Sequence, residues 1–239
     1  MAKMTTLDRI LQSQGFGTRK GCRELVHAGE VRVGAEMVTD AVASFDPEGL
    51  AFEVFGERWT YRERLYLALD KPPGYECSRK PSHHPGVLTL LPEQFARRDV
   101  QPVGRLDHDT TGLLLLSDDG AFIHAQSSPR RHVPKTYVAT THEPVTAGLI
   151  EKLQAGVQLI DEPAPLTARA RRLDTHSVEV VLDQGKYHQV KRMLAAAGNH
   201  CAALRRVAIG GLRLESLDLA EGQWCYLEEA QLALLGQSA

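Results

Sequence analysis

Leu7, Ile10 and Leu11 fall at i, i+3 and i+4, the spacing of one helical face, and the run stops at Gly15. Thr18 is placed to cap a second helix, Arg19 to His27, with Cys22, Leu25 and Val26 facing inward and Gly29 ending it. VRVGAEMV then alternates across Gly34-Ala35, which predicts a hairpin. The stretch Pro47 to Arg64 is polar and mixed, and a boundary is placed near residue 61, dividing the chain into 1–61 and 62–239. Beyond it, LYLALD reads as a strand ended by the stiff turn Lys71-Pro72-Pro73-Gly74. Leu113–Ser117 reads as a buried strand, AFIHAQSS as a short helix, Thr136–Thr141 as a strand and Thr146–Gln154 as a helix. ARARRL and HSVEVVL flank Asp174-Thr175 as a hairpin, Tyr187–Ala197 has a helical period that ends at Gly198, and CAALRRVAI with LRLESL flank Gly210-Gly211. The expected fold class is α+β: a small helix-helix-hairpin module followed by a domain built on a mixed, mainly antiparallel sheet.

Composition sharpens this mainly by exclusion. Of 239 residues 43% are hydrophobic and 24% charged, the balance of an ordinary folded protein. The longest uninterrupted aliphatic run, Leu113–Leu116, is far short of the ~18 residues of a membrane span. The start MAKMTTLDRI lacks the apolar centre of a signal peptide, so no membrane association and a cytoplasmic location are expected. Cysteines at 22, 77, 201 and 225 form no C-x-x-C pair, which excludes a zinc ribbon by spacing and offers no disulfide framework. His83 and His84 adjoin without Cys or carboxylate partners at ligand spacing, so no metal is expected.

The net charge of −2 gives no bulk argument for a nucleic-acid partner. Its distribution does: Met1–Val33 carries a local +3 and Asp183–Arg213 a local +5. The predicted helices place Arg9, Arg19, Lys20 and Arg23 on or near one surface. In the second region Val190, Met193, Leu194 and Ala197 make a core face at 100° per residue. Lys191 flanks that face and can reach inward to a carboxylate, whereas Arg192 points nearly opposite, toward solvent or phosphate.

Gly104-Arg105-Leu106-Asp107-His108-Asp109-Thr110-Thr111-Gly112 is the sharpest polar cluster, feeding directly into the strand LLLLS. Most such aspartates merely cap turns. Here Arg105 and Asp107 share one loop, anchored by the strand and bounded by a glycine at each end. A serine hydrolase, a kinase and a nicotinamide enzyme are unsupported, because the chain has no G-x-S-x-G, no phosphate-cradling G-x-x-x-x-G-K-[ST] and no dinucleotide fingerprint. Tyr137, in Lys135-Thr136-Tyr137, is a strand tyrosine of the kind that often only fills a core.

GRLDHDTTGLLLLSDDG resembles the signature of the RsuA-type family of ribosomal RNA pseudouridine synthases. LDKPPGYECS is similar to that family's first strand and turn, SSPRRHVPKTY to its tyrosine motif, and KYHQVKRMLAAAGNHCAALRRVAIGGL to its C-terminal motif. The N-terminal module resembles an S4 RNA-binding domain, although GFGTRKGCRELVHAG departs from the usual S-R pattern. The resemblance covers almost the whole chain in the family's order. It implies that Asp107 is the catalytic carboxylate, that Tyr137 packs against the target uracil, that Lys191 is the basic partner of Asp107, and that Arg105 lies beside a flipped nucleotide. It implies no cofactor, and no second carboxylate is seen that could replace Asp107. The Lys of QVKRM, with HDTTGL and YECS, favours the type acting on 16S rRNA, at uridine 516 in standard rRNA numbering. The alternatives are a 23S rRNA enzyme and an inactive RNA-binding assembly protein. The expected partner is 16S rRNA, free or in a small-subunit assembly intermediate, met by a monomer, with Arg9, Arg19, Lys20, Arg23, Arg105 and Arg192 as RNA-contacting cations.

Overall fold

The computed structural model describes residues 4–128 and 131–237. Lys3, counted above with the basic N-terminal region, and Pro129 and Arg130 of the tyrosine motif lie outside the described residues. The chain divides into two compact units, and the division is not a single cut near residue 61. Residues up to Leu65 together with Leu91–Val100 form the first; Tyr66–Leu90 with the residues from Gln101 onward form the second.

In the first unit, β1 (Thr5–Thr6) leads into α1 (Leu7–Ser13), followed by α2 (Arg19–His27), which Thr18 caps through the N–H of Gly21. The strands β2 (Val31–Val33) and β3 (Glu36–Met37) form the expected hairpin, and β4 (Ser44–Phe45) pairs with β1. The stretch read as polar and mixed instead holds a second hairpin, β5 (Ala51–Val54) and β6 (Glu57–Thr60), giving a sheet of order β3-β2-β5-β6. Phe52 and Val54 alternate inward from β5 and pack with Leu7, Leu11, Cys22 and Val26, so period-2 burial is present on only one short strand.

The segment 91–100, with α3 (Glu93–Arg97), belongs here for a packing reason. Phe95 meets Trp59 edge to face at 6.3 Å, and Arg98 donates to the carbonyls of Arg62 and Glu63 and to Gln14 Oε1. Gly15, at φ +88°, lies so close to this segment that a Cβ would run into the carbonyl of Gln94.

The second unit is built on a nine-stranded sheet. Its strands are β7 (Tyr66–Lys71), β8 (Gln101–Val103), β9 (Thr111–Ser117), β10 (Lys135–Thr141), β11 (Arg169–Arg172), β12 (Ser177–Leu182), β13 (Cys201–Ile209), β14 (Leu212–Arg213) and β15 (Trp224–Tyr226). The order is β11-β12-β10-β13-β9-β7-β15, with β14 beside β13 and β8 beside β9. Every pair is antiparallel except β13 with β9. Helices α4 (Gly120–Ser127), α5 (Ala147–Ala155), α6 (Gln189–Ala196) and α7 (Glu229–Leu234) complete it. The fold is thus α+β on a mixed, mainly antiparallel sheet. Leu113–Leu116 of β9 are fully buried, as a central strand covered on both faces requires. Among the described residues no helix is long and apolar enough to cross a membrane.

Candidate active site

The parallel pairing of β13 with β9 places the chemistry. Arg206 of β13 pairs with Gly112 of β9, and the same Arg206 pairs with Tyr137 of β10. The loop 104–110, entering β9 from β8, is thereby set one strand away from Tyr137. Gly112 sits at φ +99°, and a Cβ there would strike the Arg206 backbone, so only glycine lets the two strands meet at this point.

Buried polar groups hold the loop from below. The ammonium of Lys71, wholly buried, donates to the carbonyls of Thr110 at 2.9 Å, Pro72 at 3.0 Å and His108 at 3.2 Å. Burial lowers its pKa, opposed by Cys77, Asp109 and Asp107. Cys77, whose thiol burial pushes up, accepts the N–H of Leu106 at 3.4 Å. Asp70 pairs with Arg205 at 2.6 Å, and Arg206 donates to the Leu113 carbonyl at 2.7 Å. Backbone geometry around Asp107 is therefore set by side chains from β7, the turn after it, and β13.

Both carboxylate oxygens of Asp107 are engaged. Oδ2 lies 3.1 Å from Lys191 Nζ and Oδ1 lies 3.1 Å from His188 Nε2. Lys191 extends from α6, where Val190, Met193 and Leu194 are buried as the helical period requires, so its inward reach is as expected. The same ammonium also bonds Asp109 Oδ1 at 2.7 Å. Residues i and i+2 of one tight loop thus converge on one lysine, although Asp107 and not Asp109 lines the pocket with Tyr137. Burial opposes the charge on Lys191, yet its bonds to Asp109 and Asp107 prevail and raise its pKa. Burial likewise opposes ionisation of Asp109, and the Lys191 bond outweighs it and lowers that pKa.

Asp107 opens into a small pocket lined by Tyr137, Leu182, Val190 and Leu204 on its apolar side and by Arg105, Thr110 and His188 on its polar side. The Thr110 hydroxyl is buried with no hydrogen-bond partner among the described residues. Arg105 is exposed at the rim. Arg192, expected to face solvent or phosphate, is bound to Asp161. Arg19 and Arg23, expected to present free cations, both hold the buried Asp8, at 2.8 and 2.7 Å. That carboxylate was not anticipated as a hub, because nothing in the linear spacing places residue 8 between 19 and 23. Arg9 and Lys20 remain exposed on the first unit. Among the described residues no group of three or more His, Cys, Asp or Glu side chains could hold a metal ion.

His188 and Asp109 are the site residues that sequence reasoning passed over. A signal was present for each: His188 precedes Lys191 by three residues, one helical turn, and Asp109 repeats Asp107 at i+2.

Residues 65–196 match the family described as RNA pseudouridylate synthase, and the chain belongs to that family. It is 38% identical to the ribosomal small subunit pseudouridine synthase A of Escherichia coli (strain K12), over 95% of this chain and 98% of that protein. It is 34% identical to an uncharacterized RNA pseudouridine synthase, YtzG, of Bacillus subtilis (strain 168), over 97% and 98%. A solved structure described as a pseudouridylate synthase superposes with TM-score 0.68 at 32% identity, covering 96% of this chain and 99% of that one. The fold and the enzyme class are therefore those of an RNA pseudouridine synthase, an isomerase.

Proposed function

We propose that this enzyme isomerises one uridine of 16S ribosomal RNA, uridine 516 in standard numbering, with Asp107 as the catalytic carboxylate. The observation that carries the reading is the Asp107 carboxylate, held by Lys191 and His188 at the mouth of a pocket that Tyr137 lines. The RNA target follows the relatives named for the small ribosomal subunit, which match nearly end to end. The lysine in QVKRM supports the same choice.

The reaction is an internal rearrangement: the N1–C1′ bond breaks, the uracil turns, a C5–C1′ bond forms, and the C5 proton is lost while N1 gains one. An ionised carboxylate serves either as nucleophile at C1′ or as base at C2′. Lys191, positively charged, keeps Asp107 company in a site partly closed to water. The uridine must leave its stack at a cost of a few kcal/mol, offset by packing on Tyr137 and by contacts to phosphates. Arg105 is placed for such a contact, and the Thr110 hydroxyl is free to bond the base or sugar. The first unit is proposed as an S4-type RNA-binding module, with Arg9 and Lys20 as exposed cations, Lys20 beside Glu24, and Arg19 and Arg23 contributing what Asp8 leaves exposed. The enzyme acts as a cytoplasmic monomer on 16S rRNA, free or in an assembling small subunit.

Mapping pseudouridines by carbodiimide and primer extension in both rRNAs, with and without the gene, tests this. Loss of one 16S signal is expected. Loss of a 23S signal instead would reassign the enzyme to the large subunit, and unchanged signals in both would overturn the reading.

A further inference from the structure

Beyond the pocket that holds Tyr137 lies a second, larger cleft of about 840 Å³, which shares Asp107 and His188 with it. Roughly 300–1,000 Å³ is the usual span of a ligand site. Two pairs of parallel rings line this cleft. Tyr187 stacks on His188 at 3.8 Å and 17°, and His84 stacks on His108 at 4.4 Å and 7°. Tyr187 is 75% exposed, so the face turned away from His188 is open. His188 takes φ +48° and ψ 32° just ahead of α6, a left-handed conformation that is unfavourable for a residue with a Cβ. This bend presents the imidazole to Asp107 and the phenol ring to the cleft.

Charges in the cleft are already matched, with one exception. Glu76 is occupied by the backbone N–H groups of Ser82, His83 and His84, bonds that hold its carboxyl below the usual range. Lys186 pairs with Glu162. Arg105, exposed, makes no ion pair with any described residue. Flat ring faces beside an uncommitted guanidinium match a nucleotide: base on ring, phosphate on arginine. A chain whose uridine enters the small pocket must run its neighbour past Asp107, since adjacent nucleotides are covalently joined.

We propose that this cleft is a subsite for the nucleotide next to the target uridine, whose base stacks on Tyr187 and whose phosphate meets Arg105. The inference rests on the proposed function and extends it from one residue of RNA to two. His188 links the subsite to the chemistry: its Nε2 lies 3.1 Å from Asp107 Oδ1 while its ring backs Tyr187. A base seated on Tyr187 therefore buttresses the group that orients the carboxylate.

The test uses full-length enzyme, a synthetic RNA spanning the mapped uridine, and versions abasic at its 5′ or 3′ neighbour. Single-turnover rates across enzyme concentrations separate binding from chemistry. With wild-type enzyme, one of the two abasic RNAs should lose about tenfold in kcat/KM. Tyr187→Ala, an exposed substitution, should lose the same tenfold on intact RNA and show no further loss on that abasic RNA. Tyr187→Phe, which keeps the ring, should behave as wild type. Indifference of the wild type to both abasic RNAs overturns the subsite alone, as does an abasic penalty of equal size in Tyr187→Ala. Absence of product from wild type on intact RNA overturns the proposed function, and the subsite with it.

Discussion

Asp109, Lys191, Asp107 and His188 form a chain of contacts in which each member constrains the next. Lys191 bridges two carboxylates, but only Asp107 lines the pocket with Tyr137. Asp109 cannot therefore stand in for it. Asp107→Asn should lower the single-turnover rate at least a hundredfold, about 2.7 kcal/mol of barrier, with RNA affinity within a few-fold. Asp109→Asn should stay within about tenfold of wild type; equal losses in the two variants would remove Asp107 from its assigned role. Lys191→Met leaves two neighbouring carboxylates without their shared cation. Its rate should fall by about a hundredfold, with partial recovery in Lys191→Arg, whose charge is kept but whose fork is bulkier. Full activity in Lys191→Met would make the bridge a structural feature only.

At the scale of elements, two close joints carry local stability. Asp8, at the start of α1 and 0% exposed, accepts from Thr6, Arg19 and Arg23, joining α1 to α2. Burial opposes its ionisation, yet these bonds prevail and hold its carboxyl well below the usual carboxylate range. A carboxyl depressed in the folded state contributes stability that is complete above its unfolded pKa, about 3.9, and is lost as pH falls below it. The first unit should thus lose stability on acidification below pH about 4, and Asp8→Asn should be less stable at neutral pH by about 2 kcal/mol with a flatter acid dependence. Denaturant unfolding followed by Trp59 fluorescence between pH 3 and 7 (a range set by the ~3.9 reference value) reads both; an unaltered acid slope would dismiss the Asp8 cluster. The second joint is Gly112 against Arg206. Gly112→Ala combines an unfavourable φ with a backbone clash and should cost about 3 kcal/mol, measurable as a lower urea midpoint. A midpoint equal to wild type would mean that β9 and β13 separate without penalty.

For the whole molecule, the interleaved division of the chain changes what a truncation does. Removing residues 1–61 would strip Phe95 of Trp59 and Arg98 of Gln14, leaving segment 91–100 without its packing. That truncation should aggregate. A second version, lacking residues 1–65 and with 91–100 replaced by a short Gly/Ser linker, should remain soluble and isomerise at saturating RNA. Because Asp8 offsets part of the charge of Arg19 and Arg23, the loss should flatten the slope of log affinity against log salt by about two units, at roughly 0.7–0.9 per phosphate. Salt titrations of both forms decide this. An unchanged slope would assign the first unit to a partner other than RNA, and a folded but inactive second version would make that unit part of catalysis.

Local pattern alone was enough to read much of this protein. Helices α1, α2, α5 and α6, strands β7, β9, β10, β12 and β13, the Thr18 cap and the inward reach of Lys191 all follow from period and punctuation, because each depends on neighbours within a turn or a strand. The hairpin β5–β6 escaped, since only Phe52 and Val54 are buried in an otherwise polar stretch. Segment 91–100 escaped because its partners lie tens of residues away in sequence. The motif loop marked Asp107, but the convergence of Asp109 on the same lysine and the setting of the loop one strand from Tyr137 depend on tertiary contacts, the pairing of β13 with β9 among them, that have no sequence period. The pairing of Arg19 and Arg23 to Asp8, of Arg192 to Asp161 and of His188 to Asp107 was decided the same way. Charge along a chain says how many cations there are; only the tertiary structure determines which of them are already spent on a carboxylate.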